Sequence, residues 1–136
     1  YYGSISDFTK AIEINPNDDQ AYYNRAISKG KLKDYYGAIS DYTKAIEINP
    51  KKDEAYYNRG NVKTALKDYY GAISDYTKAV EINPIKDKAY INRGRAHYSI
   101  NDKWNACKDF KKGVSLGSLS TAAWLNSEGG SWCRDM

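Results

Sequence analysis

The sequence predicts an all-α protein made of antiparallel helical hairpins stacked side by side. Its three prolines, Pro16, Pro50 and Pro84, follow one another at intervals of 34 residues. The segments 34–67 and 68–101 are identical at 23 of 34 positions. A fixed period of this length indicates one supersecondary unit that repeats, and such units bury their apolar faces by stacking on their neighbours.

Each unit is predicted to contain two helices. In residues 36–48 the apolar side chains recur three and four residues apart, which is typical of a helix with one buried face. Asp34 precedes this helix as an N-cap, and Pro50 follows it and prevents its continuation. The next helix is predicted to open near Asp53 and to run to about Leu66.

Small residues occupy matching positions in the two helices. A mid-helix glycine costs up to about 1 kcal/mol relative to alanine, so its presence indicates that a neighbouring helix approaches closely. The first helices carry Ala26, Gly60 and Gly94, and the second helices carry Ala38, Ala72 and Ala106.

This pattern resembles the tetratricopeptide repeat family throughout the chain. One repeat matches that family at Tyr56, Gly60, Ala72, Tyr76, Ala79 and Pro84. The last full repeat departs from it, because Gly113 replaces a small alanine and Ser118 replaces the proline. The resemblance implies a right-handed superhelix, an α-solenoid, with a concave groove lined by the first helix of each pair.

The phase of the repeat divides the chain into three full repeats and two halves. Residues 1–16 form a half repeat with the second helix only, 119–136 form a half repeat and tail, and the full repeats are 17–50, 51–84 and 85–118. If the two half repeats dock head to tail, the protein is a homo-oligomer that grows into a filament. The side chains expected at these ends are Ile5, Phe8, Ile12, Trp124, Leu125 and Trp132. Alternatively, the ends are arbitrary cuts in a longer array, and Trp132 folds back as a cap.

The resemblance also assigns residues to the groove, where the chain would bind an extended peptide or helix of another protein. These residues are Tyr23, Asn24, Ile27, Tyr57, Asn58, Asn61, Lys88, Ile91, Asn92, Arg95 and Tyr98. The asparagines form one column, and their amides bond either the backbone of a peptide or the neighbouring helices.

Some family members hold a peptide's C-terminal carboxylate with a clamp of lysine and asparagine. Asn58 and Lys88 match two members of that clamp. Tyr23 and Ile27 stand where its first lysine and asparagine should be, and Asn92 stands where its arginine should be. We therefore do not expect binding of a chaperone tail.

Other functional classes have little support. The single histidine, His97, has no nucleophile partner, so we expect neither an enzyme nor a metal or other cofactor. A net charge of +4 with interleaved acids and bases does not make the basic stripe of a nucleic-acid binder. No apolar run is long enough for a membrane span.

The two cysteines and the first residue bear on the cell compartment. Cys107 and Cys133 form a disulfide if the protein is secreted; otherwise Cys107 is a small buried apolar residue. The chain starts with Tyr1 instead of methionine, as after signal-peptide cleavage or in a piece of a longer protein. We favour a secreted protein over a cytoplasmic one.

Overall fold

The structure, a computed structural model, describes residues 1–136 and contains helices and no strands. The predicted all-α solenoid of helical hairpins is therefore confirmed. The helices are α1 (Tyr2–Ile14), α2 (Asp19–Lys31), α3 (Tyr35–Ile48), α4 (Asp53–Ala65), α5 (Tyr69–Ile82), α6 (Asp87–Ser99), α7 (Lys103–Ser115), α8 (Leu119–Leu125) and α9 (Ser131–Arg134), with a 3₁₀ turn at Glu128–Gly130 before α9.

Consecutive helices pack against each other from α1 to α8, with the tightest pairs being α2 with α3, α4 with α5, and α6 with α7. The second helix of each pair starts at an aspartate N-cap, as predicted for Asp34. The Asp34 carboxylate accepts a hydrogen bond from the Gly37 amide at 3.0 Å, and Asp68 repeats this bond with Gly71 at 2.9 Å. No helix is both long enough and apolar enough to cross a bilayer.

The small mid-helix residues face aromatic rings. A Cβ atom on Gly60 would lie 2.7 Å from Cε1 of Tyr76, a ring that is 1% exposed. The Tyr76 hydroxyl donates to Asn61 Oδ1 at 2.8 Å and lies 3.1 Å from Thr64 Oγ1. Burial raises the pKa of Tyr76 to about 12. The missing side chain at position 60 thus makes room for a ring that is fixed at both ends.

We expect Gly60→Ala to lower the free energy of unfolding by about 1–3 kcal/mol, because the added methyl group must displace this fixed ring. Helix propensity alone predicts the opposite sign, a gain of about 1 kcal/mol. Urea unfolding followed by circular dichroism measures the difference. Ala26→Gly, at the matching position of the first full repeat, is the control and should cost about 1 kcal/mol. A more stable Gly60→Ala variant would contradict the packing argument.

Three arginines join successive repeats. Arg59 of α4 makes two hydrogen bonds to the Asp75 carboxylate of α5, at 2.9 and 2.7 Å, and one to Thr43 Oγ1 of α3, at 2.9 Å. The same three-helix bridge occurs with Arg25 between Thr9 and Asp41, and with Arg93 between Thr77 and Asp109. Hydrogen bonding to the aspartate raises the pKa of Arg25 and of Arg93 above its ordinary value. We call these three bridges the arginine ladder.

Two of the buried aspartates in this ladder have a second cation. Lys29 Nζ lies 2.8 Å from Asp41, and Lys63 Nζ lies 2.9 Å from Asp75. His97 stands at the corresponding position of the third repeat, but its Nδ1 lies 3.1 Å from Asp102 instead. Arg93 is therefore the only cation bound to Asp109.

The C-terminal residues depart from the repeat. Helix α8 ends at Leu125, and the chain turns back at Gly130. Gly130 is buried against the backbone of Trp124 and Leu125, which leaves no room for a Cβ atom. The short α9 then places Cys133 against Cys107 of α7, and the two form a disulfide with their Cα atoms 5.3 Å apart. We call residues 119–136 the C-terminal cap.

Candidate protein-binding groove

The first helices of the pairs, α2, α4 and α6, line one face of the solenoid and are tied together by asparagine side chains. Asn58 Nδ2 donates to the Tyr23 hydroxyl at 2.9 Å, and Asn92 Nδ2 donates to the Tyr57 hydroxyl at 3.1 Å. Asn92 also donates to Asn61 Oδ1 at 3.0 Å. The amide donors of Asn58 and Asn92 are thus used between helices, which favours the interhelical role of this column over contact with a peptide backbone.

Asn24 begins the same column but lacks a tyrosine partner in a preceding repeat. Its Oδ1 atom accepts a hydrogen bond from Gln20 of the same helix at 3.0 Å. Tyr23 packs on the core of the first repeat, with its ring centroid 5.8 Å from that of Tyr42. Burial raises the pKa of Tyr23. Both residues therefore belong to the packed wall of the groove.

Three concavities lie along this face. One of about 380 Å³ is bordered by Asn58 and Asn61, and one of about 370 Å³ by Tyr57, Lys88 and Asn92. The third has the largest volume of the three. The sequence-predicted groove residues Lys88, Ile91, Asn92 and Arg95 are brought together at this C-terminal end of the groove.

The third concavity, which we call the α6–α8 cavity, has a volume of about 450 Å³. Its apolar lining comes from Ile91 and Tyr98 of α6, Phe110 of α7 and Trp124 of α8. Arg95, Ser99, Ser120 and Thr121 supply its polar atoms. The cavity exists because the C-terminal cap places Trp124 across from α6.

Two exposed cations stand at the rim of the α6–α8 cavity and the concavity beside it. Lys88 and Arg95 are both exposed on α6, and neither makes an ion pair. The one side-chain hydrogen bond of Arg95 goes to Asn92 Oδ1 at 3.4 Å. An apolar floor with unpaired cations at its edge can take an apolar side chain and a carboxylate at the same time.

The residues predicted at the two ends of the chain have different surroundings. Ile5, Phe8 and Ile12 are half-buried on α1, a helix with no fully buried residue. Leu125 and Trp132 pack on a core cluster of Ile91, Ala106 and Phe110. The Trp132 ring stacks on Tyr98 with centroids 5.4 Å apart and meets Trp124 edge-on at 6.1 Å. Trp132 thus folds back as part of the cap, which was the alternative interpretation of its sequence position.

The sequence predicted Tyr98 as a groove residue, at the position held by Gly30 and Thr64 in the earlier repeats, but it did not predict Phe110. Phe110 stands at the position of Tyr42 and Tyr76, which are buried, and the cavity beside it depends on the cap.

Comparison with known proteins places these features in a family. The model of the tetratricopeptide repeat matches residues 20–52 and 53–85. No curated protein matches the chain in sequence. Among solved structures, MamA is 18% identical with a TM-score of 0.83, over 95% of this chain and 80% of that one.

Two other solved structures are closer in sequence. The first tetratricopeptide domain of Spaghetti (RPAP3), bound to the HSP90 peptide SRMEEVD, is 27% identical with a TM-score of 0.74. The match covers 79% of this chain and 86% of that one. The OM64 domain of Arabidopsis is 26% identical with a TM-score of 0.76, over 86% of this chain and 94% of that one. Residues 20–85 thus contain two tetratricopeptide repeats, and the whole chain shares the solenoid of helical hairpins of such proteins, a fold that supports protein–protein interaction scaffolds.

Proposed function

We propose that this protein is a non-enzymatic adaptor whose groove binds an extended peptide segment of another protein. The observation that carries the proposal is the α6–α8 cavity with its apolar lining and the unpaired Arg95 at its edge, next to the concavity that the unpaired Lys88 borders. The ligand that fits is a peptide with a large apolar side chain next to one or two acidic residues. The apolar side chain would enter between Ile91 and Trp124, and the carboxylates would meet the two cations.

The comparison with Spaghetti (RPAP3) supports this ligand class. That domain, 27% identical to this chain, is bound to the peptide SRMEEVD, which carries acidic residues beside apolar ones. Three positions of the family clamp differ here, with Tyr23, Ile27 and Asn92 in place of charged or amide residues. We therefore propose the chemical class of peptide and not the same partner.

Charge reversal at the rim tests the proposal. Lys88→Glu and Arg95→Glu should each weaken binding of an acidic peptide with one aromatic residue by about tenfold, because the carboxylate then faces a like charge. Isothermal titration calorimetry measures the affinity. Lys51→Glu is the matched control, since Lys51 is exposed in the loop after α3, and should leave the affinity unchanged. An equal loss of affinity in all three variants would show that only the net charge of the protein matters. If no acidic peptide binds, the proposal is rejected.

Head-to-tail self-assembly is the competing function, and it makes a different prediction. It requires Trp124, Leu125 and Trp132 to be available to a second copy, whereas Leu125 and Trp132 pack on their own chain. Ser127 also stands where the next arginine of the ladder would be, so a docking half repeat would offer no guanidinium to Asp7 of α1. Light scattering that shows growth with concentration would support a polymer and count against the adaptor.

A further inference from the structure

An exposed aromatic residue begins the second helix of each repeat. Tyr2, Tyr36, Tyr70 and Trp104 are 79%, 77%, 74% and 65% exposed. Each lies in the first turn of α1, α3, α5 or α7, at the same position of the 34-residue period. The rings therefore stand at equivalent positions on four successive second helices. None of them is needed for the core, because most of each side chain faces solvent.

The outer face of α7 differs from those of α3 and α5 in charge. Where α5 has Ser74, Thr77 and Glu81, α7 has Lys108, Lys111 and Ser115. Each of the three changes makes the face more positive. Lys103 and Lys112 are also exposed on this helix, so α7 carries four exposed lysines; they are Lys103, Lys108, Lys111 and Lys112.

The one acid within α7 does not neutralise this face. Asp109, the only acid within α7, is buried and bound to Arg93. In α3 and α5, by contrast, the outer lysines pair with glutamates, Lys44 with Glu47 at 3.6 Å and Lys78 with Glu81 at 3.0 Å. The positive charge is thus concentrated at the α7 end of the aromatic row.

Trp104, Lys108 and Lys111 also border one shallow concavity of about 160 Å³, together with Cys107 and Met136. Lys111 Nζ donates to the Met136 carbonyl at 3.0 Å, and Met136 is half exposed. The Trp104 ring and the Met136 side chain therefore lie beside lysines, on a part of α7 that the disulfide fixes to the cap.

We propose that this face of α7 binds the surface of a membrane that contains anionic phospholipids. Tryptophan and tyrosine rings prefer the headgroup level of a bilayer, and exposed lysines are attracted to anionic headgroups. A charged lipid surface fits exposed rings at equivalent positions of successive helices with a group of lysines beside the last of them. An extended nucleic acid would need unpaired cations along the whole row, and the outer lysines of α3 and α5 are paired.

Vesicle sedimentation of the full chain tests the proposal. The protein should sediment with vesicles of phosphatidylcholine and phosphatidylserine and remain in solution with phosphatidylcholine alone. Lys108→Ser with Lys111→Thr restores the residues of α5 and should weaken binding by about twentyfold, at roughly fivefold per lysine. Lys10→Ser with Lys51→Thr removes the same charge from exposed positions outside the α7 face and should leave binding within about twofold.

Two variants of Trp104 test the role of its ring in vesicle binding. Trp104→Ser should weaken vesicle binding several-fold, whereas Trp104→Tyr, which installs the residue of α5, should retain most of it. Circular dichroism checks that each variant is folded, which is expected because the changed side chains are exposed. Equal binding to both kinds of vesicle, equal losses in the two double-lysine variants, or binding to single-stranded oligonucleotide without vesicle binding would overturn the proposal. None of these results depends on the peptide groove.

Discussion

Arg93→Ala is expected to lower the free energy of unfolding by about 3–5 kcal/mol. The Asp109 carboxylate, whose side chain is 6% exposed, receives two hydrogen bonds from Arg93 at 2.8 and 2.7 Å. Without the guanidinium this carboxylate is buried and has no other cation bound to it, and an unpaired buried charge is one of the most destabilising changes in a protein.

The second repeat provides the comparison. Arg59→Ala removes the equivalent guanidinium, but Lys63 stays 2.9 Å from Asp75 and continues to neutralise it. This variant should therefore lose at least about 1 kcal/mol less stability than Arg93→Ala. Urea unfolding followed by circular dichroism gives both values. If the two variants lose the same stability, Lys63 does not contribute to neutralising Asp75.

A double variant separates charge burial from packing. Arg93→Ala with Asp109→Ala removes both charges, so it should recover part of the stability that Arg93→Ala loses. A double variant whose loss of stability equals the sum of the two single losses would show that the two residues act independently of each other.

Loss of the disulfide is expected to destabilise the C-terminal cap by about 3 kcal/mol, as estimated for a closed loop of this length. Cys107 and Cys133 are 26 residues apart, and α8 and α9 are too short to be stable helices by themselves. The variant Cys107→Ala with Cys133→Ala, or treatment with a thiol reductant, should open the cap.

Cap opening has a specific readout. Trp124 and Trp132 would leave their contacts with Phe110 and Tyr98, so tryptophan fluorescence should shift to longer wavelength and proteases should cut within residues 119–136. The helical signal of α2 to α6 should remain. Unchanged fluorescence and unchanged protease resistance after reduction would show that packing alone holds the cap.

The repeat architecture could be predicted from the sequence because a period of 34 residues constrains every unit in the same way. The helix predicted over residues 36–48 begins one residue earlier, at Tyr35, and the one predicted to open near Asp53 begins there. The capping role of Asp34 followed from its residue type and position. These features are local, so helix propensity and the spacing of apolar residues were sufficient to predict them.

The features that depend on contacts among three helices could not be predicted from the sequence in the same way. Arg25, Arg59 and Arg93 recur with the period, but their partners lie sixteen residues before and after on other helices. The α6–α8 cavity depends on the cap, and the cap begins where the period breaks down after Ser118. Residues 126–133 do not follow the 34-residue period. The direction in which this segment runs could therefore not be predicted from the earlier repeats.

The arginine ladder has a consequence for how such arrays change in length. Each arginine bonds a threonine sixteen residues earlier and an aspartate sixteen residues later, so every bridge spans less than one full period on either side. Excision of the residues from Lys51 to Pro84 would bring Arg93 next to Thr43, and the same bonds could form at the new junction. Duplication or loss of one whole unit therefore leaves no arginine without its partners, which lets the array gain or lose units without a new core having to evolve.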